Sequence, residues 1–160
     1  MVEMKVSGIV LDPQSKTPIV VLRDLDERRA LLIWIGTPEA NAIMLVLERV
    51  RLIRPASHDL MMNILSALRV TLQHILISDI QDNTFYAQLY VQTADGVIAI
   101  DARPSDAIAL ALRAGSPIFV AEQVMMSSSI PISQERELAE QEEFRKFLEN
   151  VKPSDFGRSS

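Results

Sequence analysis

The chain contains no cysteine, which excludes disulfides, thiolate nucleophiles and cysteine-ligated zinc together. Only two histidines occur, His58 and His74, far apart in sequence, so a zinc enzyme is not expected. The phosphate-cradling Gly-x-x-x-x-Gly-Lys-Ser/Thr loop, the dinucleotide Gly-x-Gly-x-x-Gly turn and the Gly-x-Ser-x-Gly nucleophile elbow are all absent. No apolar run approaches the roughly 20 residues that a membrane-spanning helix needs. Residues 1–20 lack a basic segment followed by a long apolar one, so no secretory leader is expected and the chain reads as cytoplasmic. There is also no basic stripe. The 21 acidic residues outnumber 16 basic ones for a net charge of −5, and the excess gathers in the glutamate-rich stretch 135–149. Global charge therefore neither supports nor excludes a phosphate-rich partner.

What the chain does have is an internal repeat. Residues 32–47 and 97–112 share an apolar run, a polar turn carrying a proline, and an apolar stretch with helical spacing, at a constant offset of 65. A strand entering a helix is thus written twice, and each copy is preceded by two further strand-like runs. The pattern predicts an α+β fold of duplicated strand-strand-strand-helix units, mainly antiparallel, with packed helices. One folded domain is expected over 1–132, an acidic helix capped by Ser133 over 133–151, and a disordered tail over 152–160.

Local chemistry places the elements. Strands are expected over 5–11, 19–24 and 30–35, then 70–78, 85–92 and 97–100, with a short one at 117–120. Asp95-Gly96 is the clearest hairpin turn. Thr37 and Ser57 are the expected N-caps of two helices, and Gly115 the C-cap of a third opened by Pro104. Ala107 and Ala111 imply very close packing against the sheet or a partner. Trp34 lies in an apolar run and reads as core rather than as a base-stacking platform, whereas Met125-Met126-Ser127-Ser128-Ser129 reads as mobile.

Two polar clusters stand at predicted helix starts. In Asp101-Ala102-Arg103-Pro104-Ser105-Asp106, the carboxylates suit a hard divalent cation and the guanidinium a phosphate. In Arg54-Pro55-Ala56-Ser57-His58-Asp59, an imidazole, a carboxylate and a guanidinium supply a proton carrier and a phosphate clamp. Both also have a purely structural reading, as caps and carboxylates that complement a helix dipole.

The same residues carry a family likeness. Leu32-Ile33-Trp34-Ile35-Gly36 with Glu39-Ala40, Arg54-Pro55 with His58-Asp59-Leu60, Phe85-Tyr86-Ala87, and Asp101-Ala102-Arg103-Pro104-Ser105-Asp106 running on to Arg113 resemble the bifunctional nuclease family over roughly residues 4–125. Ser57 departs from the threonine expected there. The resemblance implies an α+β fold with a repeated strand-and-helix unit and cleavage of both DNA and RNA. It brings no mechanism residue by residue.

Joined to the clusters, it leads to one expectation: a divalent-metal-assisted phosphodiesterase. Asp101 and Asp106 would hold Mg²⁺, Arg54, Arg103 and Ser105 the substrate, and His58 with Asp59 would move the proton. The alternative is a non-catalytic oligomeric module that binds a ligand or protein, with the same string holding the strand-helix corner. Either way a homodimer is expected, from the alanine-lined helix and from Phe144 and Phe147.

Overall fold

The computed structural model describes residues 1–133. Two similar units build it. The first runs β1 (Val2–Leu11), β2 (Pro18–Asp24), β3 (Arg29–Trp34) and α1 (Thr37–Leu47), followed by α2 (Ser57–Ala67). The second runs β4 (Thr71–Gln81), β5 (Thr84–Thr93), β6 (Gly96–Ala102) and α3 (Pro104–Ala114), followed by β7 (Ile118–Val120), α4 (Glu122–Ser128) and β8 (Ile130–Pro131). The second helix starts two residues later than the constant offset gives, because β6 continues to Ala102 before its turn.

All strands form one eight-stranded sheet in the order β6-β5-β4-β7-β1-β2-β3-β8. The two three-strand meanders face outward from β7, which runs antiparallel to β1 and parallel to β4. The units are therefore related by an approximate two-fold through the sheet centre. A bulge interrupts β1 between Val6 and Gly8, where φ of +156° favours glycine. Asp82 and Asn83, both at positive φ, close β4 onto β5 in a two-residue turn, so both strands run longer than local propensity suggests.

Alternation decides the core. Ala87, Leu89 and Val91 of β5 are buried, whereas Gln88 and Tyr90 between them are only partly covered and Tyr86 before them is exposed. One cluster joins the three buried residues to Ile75, Ile77, Val20, Leu22, Ile43 and Ile108. Each of the valine, leucine and isoleucine side chains, fully removed from water, contributes about 1.5–3 kcal/mol. Ala107, Ala109 and Ala111 of α3 are completely buried inside the chain, on a helix that packs against α1, α2, β4 and β5. Residues 125–129, expected to be mobile, largely belong to α4, where Val124 and Met125 are completely buried. Their apolar content outweighs the serine run.

α2 behaves differently from its apolar pattern. None of its residues is buried; Leu60, Met61, Ile64 and Leu68 are exposed, as are Val50, Leu52 and Ile53 in the segment before it. No helix among the described residues is long and apolar enough to cross a membrane. The expected acidic helix and tail fall outside the described residues.

Candidate functional site

Three helices begin with the same device. α1, α2 and α3 have Gly36, Ala56 and Arg103 at their N-caps, and each places a carboxylate at its third position: Glu39, Asp59 and Asp106. An acid there complements the exposed amides of the first turn. The expected caps Thr37 and Ser57 lie one residue inside their helices, and neither N-cap residue, Gly36 or Ala56, supplies a side-chain cap. Asp59 Oδ2 does that work for α2, accepting from the Ala56 N–H at 3.0 Å.

Sheet topology brings all three starts together. Arg103 donates from Nε to Asp106 Oδ2 at 2.9 Å, from Nη2 to Asp106 Oδ1 at 3.2 Å and from Nη1 to Glu39 Oε1 at 3.0 Å. His58 Nε2 lies 2.8 Å from Asp106 Oδ1. Asp106 is thus gripped from both sides. Burial alone would raise its pKa, but the Arg103 guanidinium and then His58 outweigh it and hold the carboxyl below its ordinary range. Glu39 is lowered first by its own backbone N–H and then by Arg103. Its Oε2 is buried over Gly36, where a Cβ would collide with it. Arg103 keeps 62% of its side chain exposed, whereas His58 keeps 12%.

Asp59 turns the other way. Its Oδ1 accepts from Arg113 Nε at 2.8 Å, and Arg113 Nη1 also reaches the carbonyls of Ala42 and Ala109. Expected to work with His58, Asp59 instead ties α2 to α3. Adjacent helical residues point about 100° apart, so the two cannot share one partner. His58 takes its carboxylate from Asp106.

The remaining expected residues are placed as follows. Ser105 is buried at the start of α3. Asp101 is exposed on β6, opposite Gln88, and its side chain makes no hydrogen bond or ion pair among the described residues. Arg54 is exposed before α2 and equally free of such bonds. Among the described residues no three carboxylates or imidazoles group to hold a metal ion.

A cleft of about 360 Å³ opens beside the cluster, lined by Trp34, Glu39, Phe85, Arg103 and Ser105 among others. Trp34 is not core: it is 52% exposed, and its indole Nε1 donates to Asp12 Oδ2 at 2.8 Å. Glu39, Arg113 and Trp34 were not among the expected site residues. Only Glu39 carried a local signal, its place in the first turn of a helix.

The family model of the bifunctional nuclease domain matches residues 20–133. An uncharacterized protein of Mycobacterium tuberculosis (strain ATCC 25618 / H37Rv) is 39% identical over 164 residues, covering 98% of each chain. Bifunctional nuclease 1 of Oryza sativa subsp. indica is 25% identical over 120 residues, covering 72% of this chain but 36% of the rice protein.

Proposed function

Because this chain belongs to the bifunctional nuclease domain family, we propose that it hydrolyses phosphodiester bonds in DNA and RNA at the cleft beside Arg103. The observation that carries the reading is the meeting of His58 and Arg103 on one carboxylate, Asp106, although α2 and α3 are distant in sequence. A guanidinium has five N–H donors, and among the described residues three are used on Asp106 and Glu39. Two remain for phosphate oxygens, on a side chain that is largely exposed. Arg103 thereby supplies charge where the transition state develops it. An ionised Asp106 can only accept, so it selects the His58 tautomer with the proton on Nε2; in that tautomer Nδ1 is the atom that would take a proton from an attacking water. Asp106 is the positioning residue for both.

Both Asp106 oxygens are already bonded, and Asp101 stands apart from them. These residues do not fit a preformed Mg²⁺ site.

A second reading is favoured by the closure of the network and the net charge of −5. In it, Arg103 and Asp106 lock the helix starts of an oligomeric binding module, whose second copy covers the open apolar face of α2. Nuclease assays separate the two. Wild type should cleave single-stranded DNA and RNA, and His58→Ala should lose about 10²–10⁴-fold in kcat with KM little changed. Parallel runs in Mg²⁺ and EDTA, with Asp101→Asn alongside, decide the metal. No cleavage by highly purified wild type in either condition overturns the catalytic reading.

A further inference from the structure

Trp34 presents half its surface to solvent although its only polar atom is already satisfied. What it exposes is therefore ring carbon, an expensive surface to leave wet unless something covers it. The ring is also held in place. Asp12 Oδ2 accepts the indole N–H, while Asp12 Oδ1 accepts from the Gln14 N–H at 2.9 Å, so the β1–β2 turn clamps the tether. A rigid, half-exposed aromatic therefore lines the same cleft as Arg103, with two guanidinium N–H groups unspent among the described residues. A flat ring and an anion on one small ligand is the chemistry that this pairing matches.

We propose that Trp34 is a stacking platform for one unpaired base of single-stranded nucleic acid, whose adjoining phosphate is held by Arg103. The proposal rests on the phosphodiesterase reading and narrows its substrate. A base inside a duplex keeps both faces covered by its neighbours, so only a single strand or a frayed end can offer one to Trp34. The charge agrees. No basic stripe is needed to follow a long run of phosphates here, since one arginine beside one aromatic suffices for a single nucleotide step. At about 360 Å³ the cleft lies at the small end of ligand sites.

Trp34 is the sole tryptophan, so its fluorescence reports on this site alone. The probe is a short phosphorothioate oligothymidylate, with an abasic strand of equal length as control; labelled copies give affinity by anisotropy. Oligothymidylate should quench Trp34, and the abasic strand should not. Trp34→Ala should weaken oligothymidylate about ten-fold or more, while Trp34→Phe keeps most of the affinity and abasic binding is unchanged in both. Matching thermal transitions for the three proteins exclude a folding effect. Oligothymidylate that binds without quenching, and binds Trp34→Ala as tightly as wild type, overturns the stacking role and leaves the phosphodiesterase reading standing. Absence of both binding and cleavage by wild type overturns both.

Discussion

His58 Nε2 and Asp106 Oδ1 lie 2.8 Å apart across 48 residues of sequence, and Arg103 binds the same carboxylate from its other side. This contact joins α2 to α3 and fixes the charge state of the site. In the folded chain Asp106 ionises below the ordinary 3.8, despite the opposing effect of burial.

An acid-stability experiment follows from that shift. A carboxyl with a lowered folded pKa contributes stability that is complete above its unfolded value and disappears as pH falls through the folded one. Asp59 is shifted in the same direction, chiefly by Arg113. Wild type should therefore lose stability as pH drops below about 5. Asp106→Asn should be less stable at neutral pH and show a shallower fall, read from urea midpoints across the acid range. Parallel curves for the two proteins would mean that the Asp106 contacts add no pH-dependent stability.

Arg113 is 8% exposed and bonds Asp59 and two backbone carbonyls from α1 and α3. Arg113→Ala should cost about 1–3 kcal/mol in chemical denaturation, since carbonyls lose their donor in a partly buried place. Arg113→Lys should recover only part, because an ammonium cannot reproduce the planar fork. A lysine variant as stable as wild type contradicts this assignment.

Gly36 tests how freely Glu39 can leave Arg103. Its φ of −81° and ψ of 167° suit alanine, but a Cβ would strike the Glu39 carboxylate. Gly36→Ala should therefore change stability by no more than about 1 kcal/mol, since the far end of a flexible side chain can move aside. With Glu39 displaced, another Arg103 N–H opens and oligonucleotide binding should tighten. Unchanged binding would show that Glu39 does not restrain the arginine.

The apolar face of α2 bears on assembly. Ile53 is 99% exposed and Leu68 68%, with Leu60 and Ile64 about half exposed between them. Patches of this kind mark association surfaces. Light scattering at micromolar concentration should give a dimer mass, and Leu60→Glu with Ile64→Glu should return it toward the monomer. A wild-type mass near 18 kDa counts against association. Ala107 and Ala111 of α3 do not argue for it, being buried within the chain.

What the sequence determines by itself is local. The repeat appears because a strand run, a proline turn and a helical stripe are each written in consecutive residues, at 32–47 and again at 97–112. The Gly115 cap is legible because only a left-handed residue, at φ of +69° here, ends a helix in that way. Cap positions missed by one residue, as at Thr37 and Ser57, because Glu39 and Asp59 act from inside the helix. Partnership was not legible. Whether Asp59 or Asp106 meets His58 depends on the direction in which each leaves its helix, and on a sheet order that sets α3 beside both α1 and α2. Exposure was equally hidden. Trp34 and the stripe of α2 read as core from their neighbours, and Met125 as mobile. Burial is decided by what the rest of the chain lays over a residue, and hydrophobic periodicity carries no information about that cover.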